Sequence, residues 1–269
     1  MTDRIKNEAE VEEDNMKVKK NKSKAESIIY IIGMGPGSQG MMTQQAKDAL
    51  EASDVIVGYT VYVDLIAEHF TGKEMLTTPM RQEEKRCRMA FEEVMKGKDT
   101  AMICSGDAGV YGMSGLIYEI SQDYPGVDIE IVSGVTAALS GGAVLGAPLM
   151  HDFAVISLSD LMTPWELIQK RLAAAASADM AICLYNPSSK KRKDYLNKAC
   201  QIVMQYASPA TVCGIVRQIG RDGEFFEVMT LQQLAEYEAD MFTTVFIGNT
   251  TTKVINGRMV TPRGYKLSE

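Results

Sequence analysis

Four short segments of this chain concentrate the residue types that could do chemistry, and each follows an apolar run. Gly33-Met34-Gly35-Pro36-Gly37 comes after Ile28-Ile29-Tyr30-Ile31-Ile32. Ser105-Gly106-Asp107-Ala108-Gly109-Val110-Tyr111-Gly112 follows Thr100 to Cys104. Ser133-Gly134-Val135-Thr136-Ala137-Ala138 follows Ile129 to Val132, and Leu184-Tyr185-Asn186-Pro187 closes a fourth run from Met180. Glycine has no Cβ, so a ligand can approach such main chain closely. Asp107 can accept hydrogen bonds from an ammonium or a hydroxyl, or it can cap a helix beginning near Met113. Asn186 precedes a proline and is expected to be extended, with its amide at a strand tip.

The first loop is not a dinucleotide fingerprint. Its spacing is G-x-G-x-G rather than G-x-G-x-x-G, and Pro36 removes a backbone N–H that would cradle a pyrophosphate. Asp54, about 20 residues on, starts the second strand, whereas a ribose-binding acid belongs near a strand's end. None of the four loops carries a lysine that could clamp a phosphate.

The elements that must position these loops alternate. Strand-like runs at 28–32, 54–57, 100–104 and 129–132 are separated by helical stretches around 46–50, 81–96 and 116–122, and a small-residue helix, 135–145, follows. This rhythm predicts an open α/β sheet. Gly146-Ala147-Pro148 reads as a boundary, after which strands at 153–157, 180–184, 211–216, 224–229 and 243–247 accompany helices at 165–175 and 195–206. The runs 211–216 and 224–229 lie too close for a helical crossover, so a hairpin is expected and the second sheet is mixed. The fold class is α/β, as two open domains: 27–146, mostly parallel, and 147–269, mixed, with the ligand expected in a cleft between them. Residues 1–26 are charged and nearly free of large apolar side chains, which predicts a disordered tail.

Composition narrows the function classes. Of 269 residues, 46% are apolar, enough for a substantial core, and no run approaches the ~20 apolar residues that span a bilayer. Five scattered cysteines without a C-x-x-C pair fit reduced thiols, and hence a cytoplasmic protein, better than a disulfide framework. With only His69 and His151, a His-rich metal centre is excluded and no metal is expected. A net charge of −7 argues against nucleic acid as the partner.

Taken in order, G-x-G-P-G, S-G-D-x-G-x-Y-G, G-V-T-A-A and L-Y-N-P resemble the tetrapyrrole (class III) methyltransferases from Ile28 to Tyr265. His151 to Leu161 with Thr163-Pro164-Trp165, Gly214-Ile215-Val216-Arg217, Thr243 to Asn249, and Val260 to Tyr265 resemble the branch acting at C17 of precorrin-3B. Ala108 and Ser133 stand where that family usually has prolines, which leaves the loop space open with less rigidity.

The resemblance implies a homodimer that binds S-adenosylmethionine, releases S-adenosylhomocysteine, methylates C17 and promotes macrocycle contraction in cobalamin biosynthesis. It places Pro36, Ser105, Gly106, Asp107, Val110, Thr136, Ala137, Asn186 and Gly220 at the cofactor, with Asp107 on the methionine ammonium. Methyl transfer then needs alignment rather than a nucleophile, with reacting atoms ~3–3.5 Å apart. Ring contraction moves protons, so an acid or base would help. The candidates are Asp160 and His151, with Asp152, Ser157 and Ser159 nearby. Helix capping is the other role open to Asp160, and a structural one to His151. Substrate carboxylates call for basic groups in an acidic protein: Arg217 and Arg263, with Arg221 and with Tyr111 in the second loop. The Arg81-to-Arg88 stretch reads as a solvated helix face with pairs such as Glu84–Arg88. A family member acting on another carbon, and a noncatalytic S-adenosylmethionine-binding protein, stay open as alternatives.

Overall fold

The computed structural model describes residues 27–189 and 191–266; the tail expected over 1–26 lies outside them. Contacts divide the chain into two compact units: Met1–Gly35 with Gln39–Gly134, and Pro36–Ser38 with Val135–Glu269.

In the first unit, β1 (Ile28–Gly33) leads to α1 (Gln44–Ala52), β2 (Val55–Tyr59), α2 (Thr60–Asp64), β3 (Glu74–Thr78), α3 (Glu83–Val94), β4 (Thr100–Cys104), α4 (Ser114–Ser121) and β5 (Asp128–Val132). The sheet order is β3-β2-β4-β1-β5 and every pairing is parallel. Successive strand residues face opposite sides, and here both sides are apolar. Ile29, Ile31, Val55, Val57, Met102 and Cys104 pack with Phe91 and Ile117 of α3 and α4. Ile32, Ile56, Ala101 and Ile103 pack with Leu50 and Val63 of α1 and α2. A sheet covered on both faces needs such continuous apolar strands, which is why the β1 run has no polar alternation.

Asp54 sits at the other end of these strands. Its carboxylate accepts the Asp99 N–H (3.0 Å), while Asp99 in turn accepts from the Ile28 N–H (3.2 Å). The acid that sequence spacing set aside as a ribose ligand therefore ties the amino ends of β2 and β4 together, and Asp99 extends the tie to β1.

The second unit contains α5 (Ala137–Leu145), β6 (Gly146–Ala147), β7 (Phe153–Ser157), α6 (Trp165–Ser177), β8 (Ala181–Tyr185), α7 (Tyr195–Val203), β9 (Val212–Arg217), β10 (Phe225–Thr230), α8 (Leu231–Glu236), β11 (Thr243–Ile247), β12 (Lys253–Ile255) and β13 (Arg258–Val260). Its main sheet runs β10-β9-β11-β8-β7. Only β7 and β8 are parallel; β9 and β10 form the expected antiparallel hairpin. One face packs on α6, α7 and α8 around Leu172, Leu196 and Leu234. A small sheet, β12-β13-β6, completes the unit.

The unit border falls at Gly134, ahead of α5, whereas sequence rhythm placed α5 with the first half. The reason is packing. Gly141 of α5 lies against Phe246 and Ile219, and Gly214 of β9 makes room for Leu145 at distances a Cβ would violate. Pro36–Ser38 also joins the second unit, because Gly37 lies directly against Gly220 and the Arg221 side chain. The edge strand β3 and the short strands β6, β12 and β13 escaped the sequence reading, since the Glu-Met-Leu-Thr-Thr of β3 has no sustained apolar run.

The tightest approach in the first unit involves no side chain. A Cβ on Gly134 would come within 2.2 Å of the Gly106 carbonyl oxygen and 2.4 Å of that of Gly33. We expect Gly134→Ala to lower Tm by roughly 10 °C or to prevent folding, as overpacking against rigid main chain costs several kcal/mol. Gly40→Ala, where the added carbon meets nothing within 4 Å, should leave Tm nearly unchanged; thermal melts of both variants check this.

Candidate functional site

The three loops of the first unit are joined at their backbones. Gly35 and Gly106 exchange hydrogen bonds in both directions (3.0 and 2.8 Å), and Gly33 and Gly134 pack against the Gly106 carbonyl. Asp107 locks the assembly. Its Oδ1 accepts from the N–H groups of Gly109 (2.8 Å) and Val110 (3.1 Å), and its Oδ2 accepts from Gly134 N–H (2.9 Å). Asp107 does not cap α4, whose first turn has no side-chain cap. It staples the loop after β4 to the loop after β5. A carboxylate has about four acceptor sites, so three backbone bonds leave about one for an ammonium or hydroxyl.

Tyr111 follows directly. Its φ of +55° is unusual for an aromatic residue, and the residue is 56% exposed. A bulky residue in left-handed backbone is an uncommon and costly conformation.

In the second unit, Thr136 precedes α5 but does not cap it with its own side chain. The cap comes from Tyr185, at the end of β8. The Tyr185 hydroxyl accepts from the Ala138 N–H (2.6 Å) and shares a hydrogen bond with Thr136 Oγ1 (2.5 Å). Thr136, Ala137 and the Tyr185-Asn186 corner are thus brought together. Asn186 is not extended as the following proline led us to expect. Its φ is +53°, a left-handed conformation that asparagine tolerates better than most residues, and its Nδ2 donates to Ser157 Oγ (3.0 Å). The amide thereby reaches from the end of β8 to the end of β7.

Pro36 is buried, and its carbonyl accepts from Arg221 Nε (3.2 Å). Gly220 has positive φ (+67°), and its N–H donates to Glu224 Oε2 (2.8 Å). Pro36 and Gly220 therefore belong to one knot of main chain. Arg221 serves that knot.

The remaining candidates fall elsewhere in the unit. Asp160 does not cap α6, whose first turn follows Pro164 without a side-chain cap. It accepts from the Tyr195 hydroxyl (2.7 Å), and Arg192 lies 3.7 Å away. That hydrogen bond, with desolvation behind it, holds the Tyr195 phenol above its ordinary pKa. Trp165 rests on the Tyr195 ring, with centroids 4.3 Å apart. His151 Nε2 meets the Pro262 carbonyl (3.1 Å), and Arg263 Nη1 reaches the Met150 carbonyl (3.3 Å), so these two tie the segments before β7 and after β13. Arg217 is ion-paired with Asp240 (2.8 Å). Sequence patterns missed Tyr185 as a cap, and also Arg192, Tyr195 and Asp240, because each acts on a residue far away in the chain. Tyr185 alone carried a signal, its place at a strand end.

The cysteines offer no nucleophile. All five are buried, and burial pushes the thiol of Cys104 up to about 11, those of Cys87 and Cys200 to about 12, and those of Cys183 and Cys213 upward as well. Among the described residues, no group of three His, Cys, Asp or Glu side chains could hold a metal ion, and no helix is long and apolar enough to cross a membrane.

Comparison with known proteins identifies the family. Residues 28–235 match the family of Tetrapyrrole (Corrin/Porphyrin) Methylases. The chain belongs to that family. It is 45% identical over 242 residues to the probable cobalt-factor III C(17)-methyltransferase of Salmonella typhimurium, covering 89% of this chain and all of that protein. It is 43% identical to the cobalt-factor III methyltransferase of Priestia megaterium, covering 88% of this chain but 45% of that longer protein. The crystal structure of the methyltransferase CobJ superimposes with a TM-score of 0.82 at 32% identity, covering 88% of this chain and all of that one.

Asp107→Asn replaces one acceptor oxygen with a donor and leaves a backbone N–H unmatched. We expect Tm to fall by several degrees and, in the functional reading proposed below, S-adenosylhomocysteine affinity to fall about tenfold, since hydrogen bonds to a charged carboxylate contribute about 1.5–3 kcal/mol. Thermal melts and calorimetric titration check the pair of effects.

Proposed function

We propose that this chain transfers a methyl group from S-adenosylmethionine to C17 of a precorrin-3-type tetrapyrrole, of the cobalt-factor III kind, and promotes contraction of the macrocycle in cobalamin biosynthesis. The observation that carries the reading is the 45% identity to the Salmonella typhimurium protein over that protein's whole length. A second line of support is a uroporphyrin-III C-methyltransferase from Thermus thermophilus, of like fold (TM-score 0.67, 19% identical), solved in complex with S-adenosylhomocysteine.

The donor set fits such a cofactor. The loops supply backbone N–H and C=O groups, the hydroxyls of Ser105 and Thr136, the Asn186 amide and the Asp107 carboxylate, and no phosphate clamp. S-adenosylmethionine has no phosphate and, when bound, supplies an electrophilic methyl on a sulfonium. In this reading Ser105, Gly106, Val110, Thr136, Ala137, Asn186, Pro36 and Gly220 hold it largely through main chain, and Asp107 offers its remaining acceptor site to the ammonium. Tyr111 lies on the substrate side. Methyl transfer needs no base; positioning supplies the acceleration.

For ring contraction we assign proton handling to Asp160 rather than His151. Asp160 already engages the Tyr195 hydroxyl and has Arg192 beside it, whereas His151 is occupied by the Pro262 carbonyl. Arg217 and Arg263 are the weaker half of the assignment to substrate carboxylates, because Asp240 and the Met150 carbonyl hold them. The enzyme is read as a cytoplasmic homodimer acting on a small molecule, and the net charge of −7 speaks against a nucleic-acid substrate.

The purified protein should be incubated with S-adenosylmethionine and either cobalt-factor III or cobalt-free precorrin-3B, then analysed by mass and absorption spectra. The expected product carries one added methyl and the spectrum of a contracted ring. Binding of S-adenosylhomocysteine with no product from either substrate would contradict the reading, and Asp160→Asn should methylate but fail to contract.

A further inference from the structure

We propose that Arg86, in the first turns of α3, receives a carboxylate arm of the tetrapyrrole substrate; this rests on the functional reading above. The sequence suggests a solvated helix face over Arg81 to Arg88, and for Arg88 that holds: it pairs with Glu84 (2.9 Å) and Asp123 (3.0 Å). Arg86 departs from it. Arg86 is only 5% exposed. Its Nε donates to Thr78 Oγ1 (3.0 Å), its Nη2 donates to the Pro79 carbonyl (3.2 Å), and the Tyr59 ring lies 5.8 Å from its guanidinium carbon.

Those contacts orient the guanidinium without neutralising it. Among the described residues, no carboxylate lies within ion-pair distance of Arg86. Its acidic neighbours are engaged elsewhere, Glu83 by the Arg81 N–H (3.2 Å) and Glu84 by Arg88. Two of the five guanidinium N–H groups are matched, leaving donors in the fork that suits a planar carboxylate. The position is also electrostatically adverse, because a helix start already carries the positive end of the macrodipole. A buried cation there is costly unless an anion completes it.

A second unmatched group stands beside it. Gln82 precedes α3 without capping it, and its Oε1 is buried with no hydrogen-bond partner. Its amide can present either the oxygen or, turned over, the NH2. The turn between them and β3 holds Arg81 at a φ of +67°, another strained backbone position. Thr78 and Tyr59 are the last residues of β3 and β2, so this cation sits at the carboxyl edge of the parallel sheet, where open α/β sheets bind ligands. A polycarboxylate substrate supplies the anion that this corner lacks.

The test compares wild-type protein with Arg86→Gln and Arg86→Lys. Tetrapyrrole binding is followed by absorption titration, S-adenosylhomocysteine binding by calorimetry, and folding by thermal melts. We expect Arg86→Gln to weaken tetrapyrrole binding and raise its KM about tenfold, with S-adenosylhomocysteine affinity unchanged and Arg86→Lys intermediate. Amidating substrate arms one at a time should reveal one arm whose loss matters to the wild type and adds nothing in Arg86→Gln. A folded Arg86→Gln protein with unaltered tetrapyrrole affinity would overturn the proposal, and so would an equal loss of S-adenosylhomocysteine affinity. If Arg86→Gln does not fold, the amide series on the wild type decides: no single sensitive arm overturns the proposal. Wild-type turnover with an insensitive variant removes this proposal alone, whereas wild-type protein that binds no tetrapyrrole removes the functional reading with it.

Discussion

The close approach of three glycines, Gly33, Gly106 and Gly134, is the constraint on which the first unit's loops depend. Their main chains meet at distances where a Cβ on Gly33 or Gly134 would collide, and the Asp107 carboxylate then gathers three N–H groups from two loops. Each part explains another. Without glycine the loops could not approach, and without the carboxylate three N–H groups of the rim would lose their protein partner. The price is backbone freedom, and it leaves a rigid rim of main chain at the carboxyl ends of β1, β4 and β5. In the function we propose, such a rim would meet its ligand by shape and by amide groups, which suits a cofactor with no phosphate.

The second unit reaches a comparable result by different means. Its helix α5 begins without a cap of its own, and the phenol of Tyr185, nearly fifty residues further along, satisfies the Ala138 N–H instead. That bond, with the one between Thr136 Oγ1 and the same hydroxyl, joins the start of α5 to the Tyr185-Asn186 corner. Arg221 performs the same service for Pro36. Asp160 lies apart from these knots, with a tyrosine hydroxyl on one oxygen and an arginine near the other. That carboxylate is oriented and still 31% exposed at its side chain, which is the basis on which we propose it for proton exchange.

Much of this was legible in the sequence, for identifiable reasons. Strands β1 and β4 announced themselves because a parallel sheet covered on both faces needs unbroken apolar runs. The hairpin of β9 and β10 followed from a connection too short for a helix. The family motifs marked the loops. What escaped depended on distance along the chain. Small residues in α5 read as closing the first half, but their use is to let the helix lie on β9, β10 and β11. Asn186 was read through its proline neighbour alone, whereas its hydrogen bond to Ser157 accompanies the left-handed conformation. Arg86 looked like one more charge on an amphipathic helix, and only its burial among Thr78, Pro79 and Tyr59 separates it from Arg88.

The central claim is that this rim of loops directs a methyl group to C17 of the macrocycle. Turnover with S-adenosylmethionine carrying a carbon-13 methyl, followed by carbon NMR of the product, tests it most directly. The account predicts a single enriched signal from a methyl on C17 of a ring-contracted product. An enriched methyl on any other carbon, or no enrichment in a protein that binds the cofactor, would contradict it.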